Sequence, residues 1–464
     1  MRTLIVSDLH LGNGGGLDIF AGEDALPPLL AREAARTEGG KTRVILNGDC
    51  ADFLLNEDPL TLDEVRAVEQ ARDICGSRAT KAVLRAFGDL LAAGGEVVFR
   101  LGNHDVELGL PAVQAVFRDA LGQPPSVAAR LSFQLGDAPS ILEVGGARIV
   151  VTHGEHADQM NRIEYSKLLD GTPAVVPGEL RYPPGSRLVK SLMNPLKLRE
   201  KMRYMDLLKP DVRGAVLTAL AANPAATKVL LSTAGVRIVG GWLLNLVTPS
   251  SFTESGEIDE IGFQEALIEA RKDLTEAEAQ ALAALLDDTG TESAGPLPFS
   301  DSDTLSLAAA KLLRSATATY ARAHRALADI GAPFFELAPT KTELSVARRL
   351  ATKHKAAACV LGHSHAARFL AEPGFAYANT GTWIWLMDLP PTDAPVDDWL
   401  TFLDELRENP SLEPEKGTTV AKVRSRFTFV LAEPAPGGGA TLSLHEWRDG
   451  AATALGSTPL SPAH

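Results

Sequence analysis

Arg43-Val44-Ile45-Leu46-Asn47-Gly48-Asp49-Cys50-Ala51-Asp52 is an apolar run that ends in a glycine and two carboxylates. A short continuous stretch of β-branched and aliphatic residues suits a strand buried on both faces. The glycine at its end permits a tight turn. The same construction recurs along the chain. Thr3-Leu4-Ile5-Val6-Ser7 leads to Asp8-Leu9-His10, and Glu96-Val97-Val98-Phe99 leads to Gly102-Asn103-His104-Asp105. Arg148-Ile149-Val150-Val151-Thr152 leads to His153-Gly154, and Ala358-Cys359-Val360-Leu361 leads to Gly362-His363-Ser364-His365.

Helix-like segments at 24–36 and 78–92 lie between these runs, so a layered α/β fold is expected. In such folds ligands gather beyond the carboxyl ends of the strands, where five strand ends can bring distant residues into one pocket. Asp8 and His10, like His363 and His365, are two apart, and in extended chain their side chains leave on the same side. Carboxylate, imidazole and amide oxygen form a hard-to-borderline donor set, suited to manganese, iron or zinc. Cys50 reads as a small buried packing residue. The motifs use five of the ten histidines. His156 is close enough to His153 to line the same pocket, while His324, His354 and His445 read as ordinary helix or surface residues.

The order Asp-x-His, Gly-Asp-x-x-Asp, Gly-Asn-His-Asp, His-Gly, Gly-His-x-His resembles the calcineurin-like metallophosphoesterases, over residues 1–157 and 346–450. The resemblance implies a four-layer αββα sandwich, mixed sheets flanked by helices, with a dinuclear metal site at the strand ends. It implies that one ion takes Asp8, His10, Asp49 and His365, and the other Asp49, Asn103, His153 and His363. Asp49 would bridge two divalent transition-metal ions, manganese first, with iron or zinc as alternatives. A metal-bridging hydroxide would attack phosphorus. His104 would assist the leaving group as general acid or charge stabiliser. Asp52 and Asp105 would orient His104 or the ligands.

The resemblance therefore implies a phosphoesterase acting on a small or lipid-linked phosphate ester or pyrophosphate. Asp-Leu-His-Leu at 8–11 and Asn-Thr-Gly-Thr-Trp at 379–383 are similar to the UDP-2,3-diacylglucosamine hydrolase branch. That branch carries Arg where His104 stands, and His there is more typical of general phosphodiesterases, monoesterases and nucleases. A serine/threonine-type protein phosphatase and a non-catalytic metal-binding interaction module are the alternatives. A protein phosphatase would more often carry Glu in place of Asp105 and a single His near the end.

A chain of 464 residues exceeds one typical domain. The gap between the fourth and fifth motifs is about four times the others, so 158–345 reads as a mostly helical insertion. Helical spacing marks 195–208, 211–222, 263–286 and 302–330, with loops at 172–186 and 289–298. Because it leaves and re-enters beside His153 and His363, the insertion is expected to cap the site. Residues 390–416 read as an acidic surface loop with one helix at 397–408, and 426–431 and 441–447 as closing strands. Residues 451–464 read as a tail, its last dozen residues disordered.

Net charge of −14 disfavours broad nucleic-acid binding. Between 181 and 209, however, eight basic residues face two acidic ones, and Arg187 and Lys190 are candidate substrate contacts. The apolar segment 229–247 is nearly long enough to span a bilayer. Spanning conflicts with His153 and His363 meeting on one side, so a buried element or a peripheral lipid contact through the cap is expected instead. Three cysteines argue for a reducing compartment, and no signal segment precedes the first strand. A cytoplasmic location is the expectation.

Overall fold

The computed structural model describes residues 1–36, 41–56, 60, 62–136, 138–158, 161–163, 165, 182–199, 201–208, 222, 335–390, 394–412 and 417–462. In chain order the first part contains β1 (Arg2–Val6), α1 (Leu26–Ala34), β2 (Thr42–Asn47), α2 (Glu64–Gly76), α3 (Arg78–Ala92) and β3 (Glu96–Arg100). It continues with α4 (Pro111–Ala120), β4 (Leu131–Gln134), β5 (Ser140–Val144) and β6 (Ala147–Val151). Beyond residue 335 come α5 (Lys341–Lys353), β7 (Ala358–Leu361), β8 (Ala367–Glu372), β9 (Phe375–Thr380) and β10 (Leu386–Asp388). The chain closes with α6 (Val396–Glu408), β11 (Lys422–Arg424), β12 (Thr428–Pro434), β13 (Ala440–Arg448) and β14 (Ala451–Leu460).

The fold is mixed α/β. A seven-stranded sheet runs β14-β13-β12-β1-β2-β3-β4, and a five-stranded sheet runs β5-β6-β7-β9-β8. β1 pairs parallel with β2 and β2 with β3, while β6 pairs parallel with β7. All five ligand-delivering strands therefore end beside a neighbour that also delivers ligands.

The apolar runs are continuous because both faces of these strands are buried. Leu4, Val6, Val44 and Leu46 pack into a cluster with Leu29 and Leu30 of α1, Ile74 of α2, Phe87 of α3 and Phe117 of α4. The alternate residues Ile5 and Ile45 share a second cluster with Ile149 and Val151 of β6 and Val360 of β7. On the far face of the second sheet, Val150, Cys359, Leu361 and Tyr377 pack with Val346 and Ala347 of α5. Each such side chain, fully buried, contributes about 1.5–3 kcal/mol, so register in these strands is strongly specified.

α1 and α3 lie where the helical spacing places them. α2 was not anticipated, since it buries only Ala67, Ala71, Ile74 and Cys75. Asp63 and Ser77 cap the amino ends of α2 and α3 by accepting from Arg66 and Thr80 backbone N–H groups. The closing strands expected at 426–431 and 441–447 are β12 and β13. The expected tail is corrected: Ala451–Leu460 is a strand paired antiparallel with β13. Asp449 and Gly450, both at positive φ (52° and 76°), form the reversal that joins them. Local composition understated this strand because ladder hydrogen bonds, rather than large side chains, hold it.

The chain divides into two compact units, Met1–Lys190, Ala332–Trp385 and Ser425–His464 in one, and Ser191–Gly331 with Leu386–Arg424 in the other. Two boundaries differ from the sequence expectation. The start of the expected insertion belongs with the core, because Ile163, Tyr165 and Tyr182 join its main cluster. The acidic stretch near 390–416 belongs with the second unit, where β10 pairs with β11 and Ser411 Oγ donates to the Lys201 carbonyl at 3.4 Å.

The helix expected at 195–208 is broken. A helical turn at Asn194–Arg199 and a 3₁₀ segment at Arg203–Leu208 are separated by Lys201, whose φ is 57°. A helical turn at Pro184–Leu188 precedes them inside the expected loop. The expected helices at 211–222, 263–286 and 302–330, the apolar segment 229–247 and His324 lie outside the described residues, apart from Ala222. Among the described residues no helix is long and apolar enough to cross a membrane.

Candidate metal centre

Among the described residues, five of the eight non-glycine positions with positive φ are expected ligands: Asp8 (54°), His10 (49°), Asp49 (50°), His363 (68°) and His365 (58°). This corrects the extended-chain reading of the two-apart pairs, whose side chains converge from left-handed backbone instead. Asp and His tolerate that region better than most residues, but it still costs on the order of 1 kcal/mol each.

Hydrogen bonds between the loops hold these conformations. Asp8 N–H donates to the Gly48 carbonyl (3.1 Å), His10 N–H to the Asp49 carbonyl (3.0 Å), and Gly362 N–H to the His153 carbonyl (2.8 Å). His363 N–H donates to Asp8 Oδ2 at 3.0 Å, and Thr382 Oγ1 donates to the Asp8 carbonyl at 2.8 Å. Two glycines are required for space. A Cβ at Gly48 would fall on the His153 ring, and one at Gly102 on the Asp49 carboxylate.

The side chains fall into three overlapping groups, one of them His10, Asp52 and His104. One donor atom each from Asp8, His10, Asp49 and His365 lie within 4.8 Å of one another, as do those of Asp49, His153 and His363. Asp49 belongs to both of these. His10 Nε2 lies 3.2 Å from His365 Nε2, His365 Nε2 3.3 Å from Asp8 Oδ1, and His153 Nε2 3.3 Å from Asp49 Oδ2. Ligands at about 2.0–2.2 Å from one tetrahedral or octahedral ion stand roughly 3.0–3.5 Å apart, so this spacing suits a shared cation.

The fit extends to polar satisfaction. Asp8 Oδ1, Asn103 Oδ1 and His153 Nε2 are buried and make no aligned hydrogen bond. Such atoms are expensive in a dry interior unless an ion or water meets them. These residues can hold a metal ion. His10 donates Nδ1–H to Asp52 Oδ2 at 2.9 Å, and His153 donates Nδ1–H to the Asn47 carbonyl at 2.8 Å. Each bond leaves the opposite nitrogen for the cluster.

The expected supporting residues separate into different roles. Asp52 Oδ1 accepts from Leu54 N–H at 3.0 Å and also lies 3.1 Å from His104 Nδ1 without an aligned hydrogen bond, and the His104 ring stands edge-on to His10 at 4.6 Å. Asp105 acts on the loops that carry the ligands. Its Oδ1 accepts from Gly102 N–H (2.6 Å) and its Oδ2 from Cys50 N–H (2.6 Å), so it ties the second and third motif loops together. Cys50 is a buried packing residue, as expected.

Of the expected substrate contacts, His156 lies within electrostatic reach of His153 and His363. His156 sits on the turn after His153, its Nδ1 buried without a hydrogen bond. Arg187 Nε donates to the Tyr182 carbonyl at 3.0 Å. Lys190 Nζ donates to the Asn56 carbonyl at 3.1 Å. The basic stretch is also not uniformly exposed, since Lys197 is buried against Asp206 at 2.9 Å. Asp158, Asn161 and Glu155 at the site edge carried no sequence signal, because no motif or apolar run singles them out.

Without a metal the cluster is an ion-pair network. Burial opposes charge on His153, but Asp49 and Asp8 beside it overcome this and raise its pKa from 6.5 to about 10. Burial likewise opposes charge on Asp49, yet His153 and the neighbouring imidazoles hold its carboxyl well below 3.8. Burial lowers His10, which keeps it neutral and ligand-ready.

A pH dependence follows for metal-free protein. A raised His153 pKa stabilises the fold fully below 6.5, and this is lost as pH climbs through about 10. A depressed Asp49 stabilises above 3.8, and this is lost in stronger acid. The two describe one interaction. Chelator-treated protein should therefore melt highest near pH 4–6.5 and progressively lower towards pH 10, as followed by circular dichroism. A rise in melting temperature from pH 6.5 to 9 would contradict the pairing.

A scan against protein-family models and a search of the curated proteins find no match to this chain.

Proposed function

We propose that the protein is a dinuclear metal-dependent phosphoesterase of the calcineurin-like type, hydrolysing a phosphate ester or pyrophosphate. The observation that carries this reading is Asp49, whose carboxylate belongs to two of the donor groups. One group taken together with Asn103, and the other, which already holds Asp8, support the two four-ligand sets that the motif resemblance implies. Helices over the outer faces of two sheets that share a core support the four-layer αββα arrangement.

A pair of divalent ions, manganese first, would supply an acidified water and polarise the phosphoryl oxygens. The chain's own residues do the rest. Asp52 lies beside His104 Nδ1, which leaves Nε2 to face substrate. As the P–O bond to the leaving group breaks, His104 gives its proton to the departing oxygen. Asp105 keeps the loops that carry Asp49 and Asn103 in register. Three free, buried cysteines accord with a cytoplasmic setting, and the partner is a small or lipid-linked phosphate compound.

Metal analysis of purified protein should find close to two transition-metal ions per chain. Mono- and bis-nitrophenyl phosphate, then nucleotide-diphosphate lipids, should separate monoester, diester and pyrophosphate chemistry. One ion or none, with no turnover of any of these, would sink the proposal.

A further inference from the structure

Two residues at the edge of the cluster have no part in the reading above, yet each touches one of its ligands. His363 Nε2 lies 3.1 Å from Asp158 Oδ2. Asn161 Nδ2 donates to the same Asp158 oxygen at 2.7 Å, and its backbone N–H donates to the Asp158 carbonyl at 3.1 Å. Asn161 Oδ1 in turn accepts from Asn103 Nδ2 at 3.4 Å. We propose that Asp158 and Asn161 form a clip that positions His363 and Asn103 together, and so sets the affinity of one metal subsite independently of the other. The inference rests on the two-ion reading.

The pattern among the histidines supports it. His10 and His153 each have Nδ1 secured by an oxygen of the fold, and Nε2 left for the cluster. In His363 the secured nitrogen is Nε2, so Nδ1 is the one left for an ion. Asp158 stands behind this imidazole, because its carboxylate does not join the donor group of Asp49, His153 and His363. A carboxylate there fixes the ring's tautomer and raises its basicity as a ligand.

Asn161 does the equivalent for the amide. By accepting from Asn103 Nδ2 it turns Asn103 Oδ1 away, and that oxygen is buried without a hydrogen bond. Oxygen is the amide atom a hard cation takes. Both clipped ligands belong to the Asp49, Asn103, His153, His363 set.

The test is calorimetric titration of chelator-stripped full-length protein with Mn²⁺, with circular dichroism confirming each variant's fold. Asp158→Ala and Asn161→Ala should each weaken one of two binding events by about 10–100-fold and leave the other within about twofold. Asp158→Asn keeps an oxygen that can accept from His363 and should recover part of the loss. Two events weakened equally, neither weakened, or an asparagine variant no better than alanine would each overturn the clip. Wild-type protein that binds no Mn²⁺ would overturn the underlying two-ion reading instead, which separates the two failures.

Discussion

Asp49→Ala should bind neither ion and should lose hydrolysis by at least about 10⁴-fold, since the whole metal contribution to the reaction goes with it. The expectation comes from geometry. Asp49 Oδ2 lies 3.3 Å from His153 Nε2 and 3.9 Å from His10 Nε2, one from each of its two donor groups. Its Oδ1 accepts from His104 N–H at 2.9 Å, so the same carboxylate also places the third motif. In metal-free protein the substitution strands a buried imidazolium at His153. Breaking a buried pair in this way costs about 3–5 kcal/mol, enough to threaten folding. Asp49→Asn keeps the shape and an acceptor for His104 N–H while removing the charge. If a folded Asn variant still carries two ions and full activity by elemental analysis and steady-state assay, Asp49 is not the bridging ligand.

His104→Ala should keep both ions and slow turnover by about 10²–10⁴-fold. The deficit should grow with leaving-group pKa, because a proton given to the departing oxygen matters most when that oxygen is a poor leaving group. Its imidazole lies beside Asp52 and stands at the edge of the cluster, its side chain 11% exposed against 0% for His10 and His153. The measurement is the slope of log kcat/KM against leaving-group pKa across substituted phenyl esters. An unchanged slope in the variant would remove the general-acid role. Loss of metal along with activity would move His104 into the ligand set.

Much of the site was legible because the chemistry is local. β1, β2, β3, β6 and β7 are apolar runs buried on both faces, and each ends two or three residues before its donor group. A run such as Arg148-Ile149-Val150-Val151 carries its own strand signal whatever lies beside it. α2 and β14 carry little such signal. α2 buries small side chains, and β14 is a run of small and polar residues ordered by pairing with β13. The break at Lys201 and the association of 386–424 with the second unit depend on partners far away in sequence.

The roles of the carboxylates divide in the same way. That Asp52 and Asp105 support the ligands could be expected from their place in the motifs. That Asp105 binds amides of two loops while Asp52 faces two imidazoles could not, since it depends on how the loops cross.

The sequence by itself determined which side chains meet, because each donor follows a strand that can only be buried and strand ends gather on one edge. The tertiary structure alone decided how they meet. It selected the ring nitrogen each histidine presents, the carboxylate shared between two donor groups, and the left-handed backbone at five donors. Those choices rest on hydrogen bonds between loops far apart in the chain, such as His363 N–H to Asp8 Oδ2 across 355 residues, for which no local pattern exists.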